Sequence, residues 1–222
     1  MTAYDAIVFD NDGVLVERTD TELLVSAIRE TFREFDRDPP SDLVRSLAVE
    51  DAIRADRLRE EFDLDPAAFW RRREANAATA QRGVIRSGEK PLYDDVAALE
   101  DLGCPLAVVS NNQQATVEFI VEHFGLDERF EVVYGREPTV AGHRRRKPDP
   151  SYIEQALADL GTTDALYVGD SETDVVAADR AGLDSAFLRR PHRADLDLEA
   201  EPTYEFPDLT ALVERIAPRV RA

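Results

Sequence analysis

The sequence predicts an α/β protein in which a parallel-sheet core carries an inserted all-helical domain. Short apolar runs typical of buried strands alternate with helical patterns over residues 3–16 and 92–216, whereas residues 17–89 show helical patterns only. Near-continuous apolar strands that alternate with helices are typical of a parallel sheet covered on both faces. We therefore expect a core from residues 1–16 and 90–222, and a helical domain from residues 17–89.

Five apolar segments of the core have the length of short buried strands. They are residues 6–9, 106–109, 132–134, 165–168 and 185–188. The intervening helical patterns lie near residues 94–102, 114–124, 151–160 and 174–181. A glycine, which favours the left-handed end of a helix, follows each of these patterns: Gly103, Gly125, Gly161 and Gly182. The sequence therefore predicts strands joined by helical crossovers.

Apolar residues at helical spacing predict four helices in the inserted domain. Their markers are Leu24, Ile28, Phe32 and Phe35; Leu43, Val44 and Leu47 after a capping Ser41; Ala52, Ile53, Leu58 and Phe62; and Phe69 and Trp70 after Asp65-Pro66. The interruption is abrupt and contains no strand pattern, so we interpret these helices as a lid over the core. The alternative is ordinary packing of the same helices within one domain.

The charge of the chain excludes several classes of partner. Acidic residues number 46 against 27 basic ones, which gives a formal net charge of −19. Such a surface repels nucleic-acid phosphates and anionic lipid headgroups, so we expect neither nucleic acid nor a membrane as a partner. The sequence shows no signal peptide and no membrane-spanning run, and Cys104 is its only cysteine. We therefore expect a cytoplasmic protein.

Lysine is scarce in this chain, because only Lys90 and Lys147 occur among the 27 basic residues. Extreme acidity with little lysine favours a halophilic protein, adapted to molar salt in which the Debye length falls to ~3 Å. The alternative is a merely acidic protein from a GC-rich genome, which would also favour arginine. In either case, a lysine kept in so lysine-poor a chain is a candidate for a specific role.

Polar residues follow three of the predicted strands, and ligands of open parallel sheets bind outside the carboxyl ends of the strands. These residues are Asp10 and Asp12 after the first strand, Ser110 after the second, and Asp170 and Asp174 after the fourth. Lys147 precedes a predicted helix start at Asp149-Pro150. Right-handed crossovers place it at the same edge of the sheet.

Several carboxylates at one edge predict a bound cation, because like charges repel unless a cation joins them. Oxygen ligands without His or Cys suit Mg²⁺, which also takes substrate phosphate as a ligand. Phosphate needs hydrogen-bond donors. Lys147, the Ser110 hydroxyl and the backbone N–H groups near Asn11, Asp12 and Asn111 can supply them.

Asp10 is then the candidate nucleophile, whose attack on phosphorus gives an aspartyl-phosphate. Asp12 can protonate the leaving oxygen and later activate water. Each residue also has a simpler interpretation: Asp10 and Asp12 as an acidic surface turn, Ser110 as a helix cap, and Lys147 as a surface lysine. Their joint placement at the strand ends favours the catalytic interpretation.

Four segments resemble the motifs of the haloacid dehalogenase-like hydrolase superfamily, in the family order and at similar separations. They are Asp10-Asn11-Asp12-Gly13-Val14, Val109-Ser110-Asn111, Lys147-Pro148-Asp149-Pro150, and Gly169-Asp170-Ser171 through Asp174. The resemblance covers residues 10–174 and implies a Rossmann-like core. The helical insertion resembles the cap of phosphoglycolate phosphatase-like and β-phosphoglucomutase-like members.

The resemblance implies a role for each matching residue. Asp10 is implied as the nucleophile and a metal ligand, and Asp12 as the acid/base, which also offers its backbone carbonyl to Mg²⁺. Ser110 is implied to bind a phosphoryl oxygen, and Lys147 to hold the nucleophile and the phosphate. Asp170 is implied as a direct metal ligand, and Asp174 as support for the metal or its waters.

Differences within the superfamily favour a phosphatase. Dehalogenases lack an acid at the position of Asp12, and phosphonoacetaldehyde hydrolase needs a cap lysine that residues 17–89 do not contain. The β-phosphoglucomutase-like mutases usually carry Glu-Asp where this chain has Gly169-Asp170. Asn11 is polar where many members have an apolar residue, so the subfamily stays open.

The expected function is Mg²⁺-dependent hydrolysis of a small phosphomonoester by a monomer or homodimer. Phosphoglycolate is the leading substrate that the resemblance suggests. Two alternatives stay open. A sugar-phosphate mutase of the β-phosphoglucomutase type would retain phosphate on a bisphosphorylated sugar. A non-catalytic binding protein on the same scaffold would turn over no phosphoester.

Overall fold

A six-stranded parallel sheet organises the larger of two units in the computed structural model, which describes residues 4–49 and 54–220. The strands are β1 (Ala6–Phe9), β2 (Leu106–Gln113), β3 (Val132–Arg136), β4 (Ala165–Gly169), β5 (Asp184–Leu188) and β6 (Tyr204–Phe206). Their spatial order is β3-β2-β1-β4-β5-β6, and every neighbouring pair is parallel. The Rossmann-like parallel sheet expected from the sequence is therefore confirmed.

The order of the strands reverses direction at β1, which lies between β2 and β4. Phe9 at the end of β1 pairs with Val108 on one side and with Val168 on the other. A reversal of this kind opens a crevice at the carboxyl edge of a doubly wound sheet, where ligands bind. The residues that follow β1, β2 and β4 therefore meet at one place.

Helices cover both faces of the sheet. They are α5 (Gln114–His123), α7 (Ser151–Leu160), α8 (Glu172–Arg180), α9 (Leu209–Ile216) and a 3₁₀ helix at Asp94–Asp101. Ile7 and Phe9 point to a buried cluster with α5, α9 and the 3₁₀ helix, and Val8 points to a second cluster with α7 and α8. The continuous apolar strands are explained by this burial on both sides.

Two elements of this unit differ from the sequence-based expectation. The predicted helix near residues 94–102 is a 3₁₀ helix, in which Val96 and Leu99 are both buried. Residues three apart lie in line in a 3₁₀ helix, so the tighter coil turns both side chains toward the core. Strand β6 was not predicted, because its three residues are only partly buried or exposed and give little apolar signal.

In its described residues, 18–49, 54–90 and 137–144, the second unit contains helices and no strand. They are α1 (Thr21–Glu34), α2 (Ser41–Val49), α3 (Ala55–Phe62), α4 (Pro66–Arg86) and α6 (Val140–Arg144). Ile28, Phe32, Leu43, Leu47 and Phe69 lie in its buried core, as their helical spacing predicted. The expected helical positions Ala52 and Ile53 lie outside the described residues.

The longest helix, α4, has 21 residues and begins where the sequence predicted. The Asp65 carboxylate accepts hydrogen bonds from the backbone N–H groups of Ala67 and Ala68, and Pro66 occupies the first turn. Both features are typical of helix starts. α4 carries many arginines, and within residues 4–49 and 54–220 no helix has the length and apolar composition for crossing a membrane.

Residues 137–144, which include α6, group with the helical unit. The His143 ring contacts the Trp70 ring of α4, with 4.6 Å between centroids, and both side chains are buried. The boundaries expected from the sequence, 17–89 for the helical domain, do not include this segment. No apolar periodicity marks so short a helix, which explains why its grouping was not foreseen.

Candidate active site

Three strand ends deliver polar residues to the edge where the strand order reverses. Asp10 directly follows β1, and its backbone N–H donates to the Val168 carbonyl of β4 at 2.8 Å. Ser110 lies within β2, and Asp170 directly follows β4. All three side chains are buried, although this edge is the polar end of the sheet.

The Lys147 ammonium lies between two of the buried carboxylates. Its Nζ is 2.9 Å from Asp10 Oδ1 and 2.7 Å from Asp174 Oδ1. It also donates to the Tyr167 hydroxyl at 2.7 Å and to the Val109 carbonyl at 3.1 Å. One lysine therefore joins the end of β1 to the start of α8.

Asn111 fixes the backbone of Lys147. Its Oδ1 accepts from the Lys147 backbone N–H at 2.8 Å, and its Nδ2 donates to the Lys147 carbonyl at 3.1 Å. The Lys147–Pro148 peptide bond is cis. The side chain of Asn111 is thus engaged with Lys147, and only its backbone N–H is left for the phosphate contact expected from the sequence.

Burial and charge act in opposite directions on Asp10 and Lys147. Burial raises the pKa of Asp10, Lys147 lowers it, and Asp174 and Asp170 raise it, with a result of about 7. Burial also opposes the charged form of Lys147, but Asp10 and Asp174 hold the lysine pKa well above its usual value. Lys147 is therefore a permanent cation, whereas Asp10 needs further positive charge to be fully ionised near neutral pH.

The turn after Asp10 is held by the Asn11 carbonyl, which accepts from the backbone N–H groups of Val14, Leu15 and Val16. Gly13 in this turn has φ +85°, a conformation that glycine favours. A Cβ atom at Gly13 would lie 2.3 Å from Asp170 Oδ2, so a side chain would collide with that carboxylate. The glycine of the first motif is needed for both reasons.

Two asparagine amides hold the Asp12 carboxylate. Asn112 Nδ2 donates to Asp12 Oδ2 at 2.8 Å, and Asn11 Nδ2 donates to the same oxygen at 3.1 Å. Asn11, which is fully buried, thereby has a polar partner that explains its polar side chain. These contacts orient the residue that the resemblance implies as the acid/base.

Asp174 ties the start of α8 to the end of β4. Its Oδ2 accepts from the Ser171 hydroxyl at 2.6 Å, from the Ser171 N–H at 3.0 Å and from the Asp170 N–H at 3.2 Å. This is a capping box, which satisfies N–H groups at a helix start. Because Oδ2 is so engaged and Oδ1 faces Lys147, Asp174 fits support of a metal site better than direct ligation.

The carboxylates of Asp10, Asp170 and Asp174 are suited to a hard cation. One oxygen from each lies within 4.8 Å of the others, and all three residues are buried. Lys147 contacts only Asp10 and Asp174 among them, and the raised pKa of Asp10 indicates that its negative charge is not fully offset. An all-oxygen set of this kind fits Mg²⁺.

The structure thus brings the predicted residues to one edge of the sheet, and their catalytic roles stay predictions. Several further residues of this edge were not foreseen from the sequence: Asn112, Tyr167, Arg190, His192 and Arg193. Tyr167 lies inside an apolar strand, where an aromatic residue indicates ordinary core packing. Asn112 stands in β2 directly after the second motif, and Arg190, His192 and Arg193 stand in or just before a three-residue 3₁₀ helix, so no spacing rule singles them out.

The sequence of this chain is similar to those of known phosphatases. A phosphoglycolate phosphatase of Rhodobacter capsulatus is 34% identical over 117 residues, which cover 51% of this chain and 50% of that protein. The chain thus spans about half the length of that relative. The pyrophosphatase PpaX of Halalkalibacterium halodurans is 26% identical over 94% of this chain and 96% of its own length.

A solved structure, that of CbbY from Rhodobacter sphaeroides in complex with phosphate, has the same fold. Its TM-score is 0.71 at 23% identity, and the match covers 94% of this chain and 96% of CbbY. The profile of the haloacid dehalogenase-like hydrolase family matches residues 7–188, which include all four motifs. The chain therefore belongs to the haloacid dehalogenase-like hydrolases.

Proposed function

We propose that this hydrolase is an Mg²⁺-dependent phosphatase that cleaves a small phosphomonoester through an aspartyl-phosphate on Asp10. The curated relatives and the family membership support a phosphoric monoester hydrolase. The observation that carries the proposal is the contact of Asp10 with Lys147 at 2.9 Å, at the point where the sheet order reverses. A buried carboxylate held by a lysine at a ligand-binding edge is suited to nucleophilic attack on phosphorus.

The position of each residue in the site fits one step of this hydrolysis. Asp10 attacks phosphorus, the ester oxygen leaves, and Asp12 supplies the proton that the leaving oxygen takes. Asp12 then removes a proton from the water that hydrolyses the acyl phosphate. Lys147, the Ser110 hydroxyl and the backbone N–H groups of Asn11 and Asn111 donate to the phosphoryl oxygens.

The cation site of the proposal comprises the carboxylates of Asp10 and Asp170, the backbone carbonyl of Asp12, and Asp174 as support. A bound Mg²⁺ supplies positive charge that keeps the nucleophile ionised and offsets charge on the phosphoryl oxygens. The raised pKa of Asp10 supports this assignment, because that carboxylate needs such a charge near neutral pH.

The helical unit serves as the cap in this proposal, and a cap of that size favours a small phosphorylated metabolite as substrate. Phosphoglycolate is the first candidate, because a relative that is 34% identical over about half of this chain is a phosphoglycolate phosphatase. Pyrophosphate, a phosphoanhydride rather than a monoester, is the alternative substrate, because the PpaX relative matches 94% of the chain. Neither nucleic acid nor a membrane belongs to the proposed function.

The test measures phosphate release from a panel that includes phosphoglycolate, pyrophosphate and a bisphosphorylated sugar, in molar KCl with and without Mg²⁺. Asp10→Asn should lower kcat by about 10³-fold or more, as the loss of a nucleophile does. The matched control is Asp179→Asn, which makes the same chemical change at an exposed position of α8. That variant should keep the rate of the wild type.

The outcomes separate the alternatives. Release that needs both Mg²⁺ and Asp10 supports the phosphatase. Phosphate that is retained on the bisphosphorylated sugar and moved between its positions indicates a mutase instead. A folded wild-type protein that turns over nothing in the panel contradicts the proposal and favours a binding protein.

A further inference from the structure

A short 3₁₀ helix after β5, Pro191–Arg193, places two side chains on one oxygen of Asp170. His192 Nε2 lies 2.7 Å from Asp170 Oδ2, and Arg193 Nε donates to the same oxygen at 3.0 Å. We propose that His192 and Arg193 are positioning residues, which fix the Asp170 carboxylate so that its other oxygen faces the cation. This inference rests on the proposed function, because it assumes that Asp170 is a metal ligand.

The contacts on Asp170 are one-sided. Both partners use Oδ2, and among the described residues none donates a hydrogen bond to Oδ1. Gly13 bounds the carboxylate on a further side, since a Cβ built there would lie 2.3 Å from Oδ2 and 3.1 Å from Oδ1. A carboxylate held in this way presents one oxygen in a fixed direction, as a monodentate ligand requires.

The 3₁₀ helix that carries the two residues is itself fixed to the first motif, through Arg190 at its start. Arg190 is buried, and it donates to the Val14 carbonyl at 2.7 Å and to the Gly13 carbonyl at 3.1 Å. Its charge is offset by Asp95, 3.0 Å away. Arg190 thus links this 3₁₀ helix to the turn beside Asp10. It thereby fixes the position of His192 and Arg193 relative to the nucleophile.

Charge explains why Asp170 needs partners of its own. Lys147 contacts Asp10 and Asp174, at 2.9 and 2.7 Å, but its described contacts do not include Asp170. Three carboxylate oxygens within 4.8 Å repel one another. Arg193, whose Nε lies 3.0 Å from Asp170 Oδ2, offsets the charge of the carboxylate that Lys147 does not contact.

A rival role makes the opposite prediction. If His192 and Arg193 competed with the cation for Asp170, their removal would tighten cation binding. If they orient Asp170, their removal should weaken cation binding. Loss of a hydrogen-bond partner of a metal ligand typically lowers metal affinity by about 10–100-fold, so we expect a loss of about tenfold or more here. The use of a single oxygen, with Oδ1 left to the cation, favours orientation.

The test is a titration with Mn²⁺ as the probe, followed by electron paramagnetic resonance of the free ion, in molar KCl without substrate. Arg193→Gln should raise the Kd of Mn²⁺ by about tenfold, and Arg193→Lys should lie between that variant and the wild type. The matched control is Arg215→Gln, which removes the same charge from an exposed position of α9 and should leave the Kd unchanged. His192→Gln is the second variant, should Arg193→Gln fail to fold.

Enzyme assays give an independent readout. Arg193→Gln should raise the Mg²⁺ concentration for half-maximal activity by a similar factor, while kcat at saturating Mg²⁺ stays within a few-fold of the wild type. An unchanged or lower Kd for Mn²⁺ in Arg193→Gln overturns the positioning role. Asp170→Asn separates this from failure of the proposed function: if it binds Mn²⁺ as tightly as the wild type, the assigned cation site itself is wrong.

Discussion

Asp10 is the residue at which burial and charge are most finely balanced. Its pKa of about 7 means that between the ordinary value near 3.8 and about 7 the folded protein keeps a proton that the unfolded chain releases. The contribution of Asp10 to folding stability is therefore greatest below the unfolded pKa and falls as the pH rises through this window. The total loss is up to about 4 kcal/mol, since each pKa unit corresponds to about 1.4 kcal/mol.

Asp10→Asn should remove this loss, because an amide stays neutral at every pH. Without divalent cations, the Tm of the variant should exceed that of the wild type at pH 8, by about 2–4 °C for each kcal/mol. The difference should shrink at pH 5, where the folded wild type is already protonated at Asp10. Thermal melts in EDTA measure both values, with Asp179→Asn as the control. A variant that is less stable than the wild type at pH 8 would show that the Lys147 contact outweighs burial.

Alanine variants of Gly13 and Gly182 allow the effect of backbone strain to be distinguished from the effect of a steric clash in the site. Both have a positive φ, +85° and +74°, but only at Gly13 would a Cβ meet other atoms. Gly182→Ala should cost about 1–2 kcal/mol of stability and leave phosphatase activity intact. Gly13→Ala has the same strain and also displaces Asp170, so its activity should fall by at least about tenfold. Equal activities in the two variants would contradict a role for the close approach of Gly13 to Asp170.

At the scale of elements, the N-terminal cap of α4 gives a prediction for the helical unit. The Asp65 carboxylate accepts from the N–H of Ala68 at 3.0 Å, so Asp65→Ala leaves helix donors without that partner. We expect a loss of about 1 kcal/mol, which lowers the Tm by about 2–4 °C. Glu60→Ala, at an exposed position of α3, is the control and should change the Tm little. The same Tm in both variants would mean that the helical unit does not limit thermal stability.

Elements with a continuous apolar run or a long helical pattern could be predicted from the sequence, whereas elements without such a pattern could not. β1 and β4 are buried on both faces, so their apolar runs mark them clearly. β6 and α6 have three and five residues, and they depend on contacts with distant parts of the chain rather than on a local pattern. The 3₁₀ helix at Asp94–Asp101 has a helical pattern, but the pattern does not distinguish the two helix types.

The residues of the candidate site likewise fall into those that could be predicted from the sequence and those that could not. Asp10, Ser110 and Asp170 could be predicted because strand ends in a parallel sheet meet at one edge. Arg190, His192 and Arg193 reach that edge from the segment after β5, where a 3₁₀ helix of only three residues, Pro191–Arg193, is too short to give a periodic signal. Their contribution depends on side-chain contacts, and these only the structure shows.

At the scale of the whole molecule, the chain passes between its two units four times rather than twice. Residues 18–90 and 137–144 form the helical unit, and the remaining described residues form the sheet unit. The second segment includes His143, which is buried against Trp70. A fragment made of residues 18–90 alone would therefore expose the Trp70 surface that His143 covers, and is a poor substitute for the intact unit.

The net charge of −19 should make the stability of this protein depend on salt. Salt weakens both attraction and repulsion at the surface, so the sign of its effect depends on which is larger. Exposed pairs such as Arg45–Glu22 contribute only about 0–1 kcal/mol each. Acidic residues exceed basic ones by 19, so repulsion dominates, and its screening should stabilise the fold.

The Tm should therefore rise by several degrees as KCl increases from about 0.1 M to about 1 M, where the Debye length falls from about 10 Å to about 3 Å. A gain from screening levels off once the Debye length is shorter than the spacing of surface charges, whereas a gain from exclusion of solute continues with concentration. Sucrose, which is excluded but does not screen charge, is the control for the second effect. A Tm that does not change below molar KCl would mean that the acidic surface is a matter of composition and not an adaptation to salt.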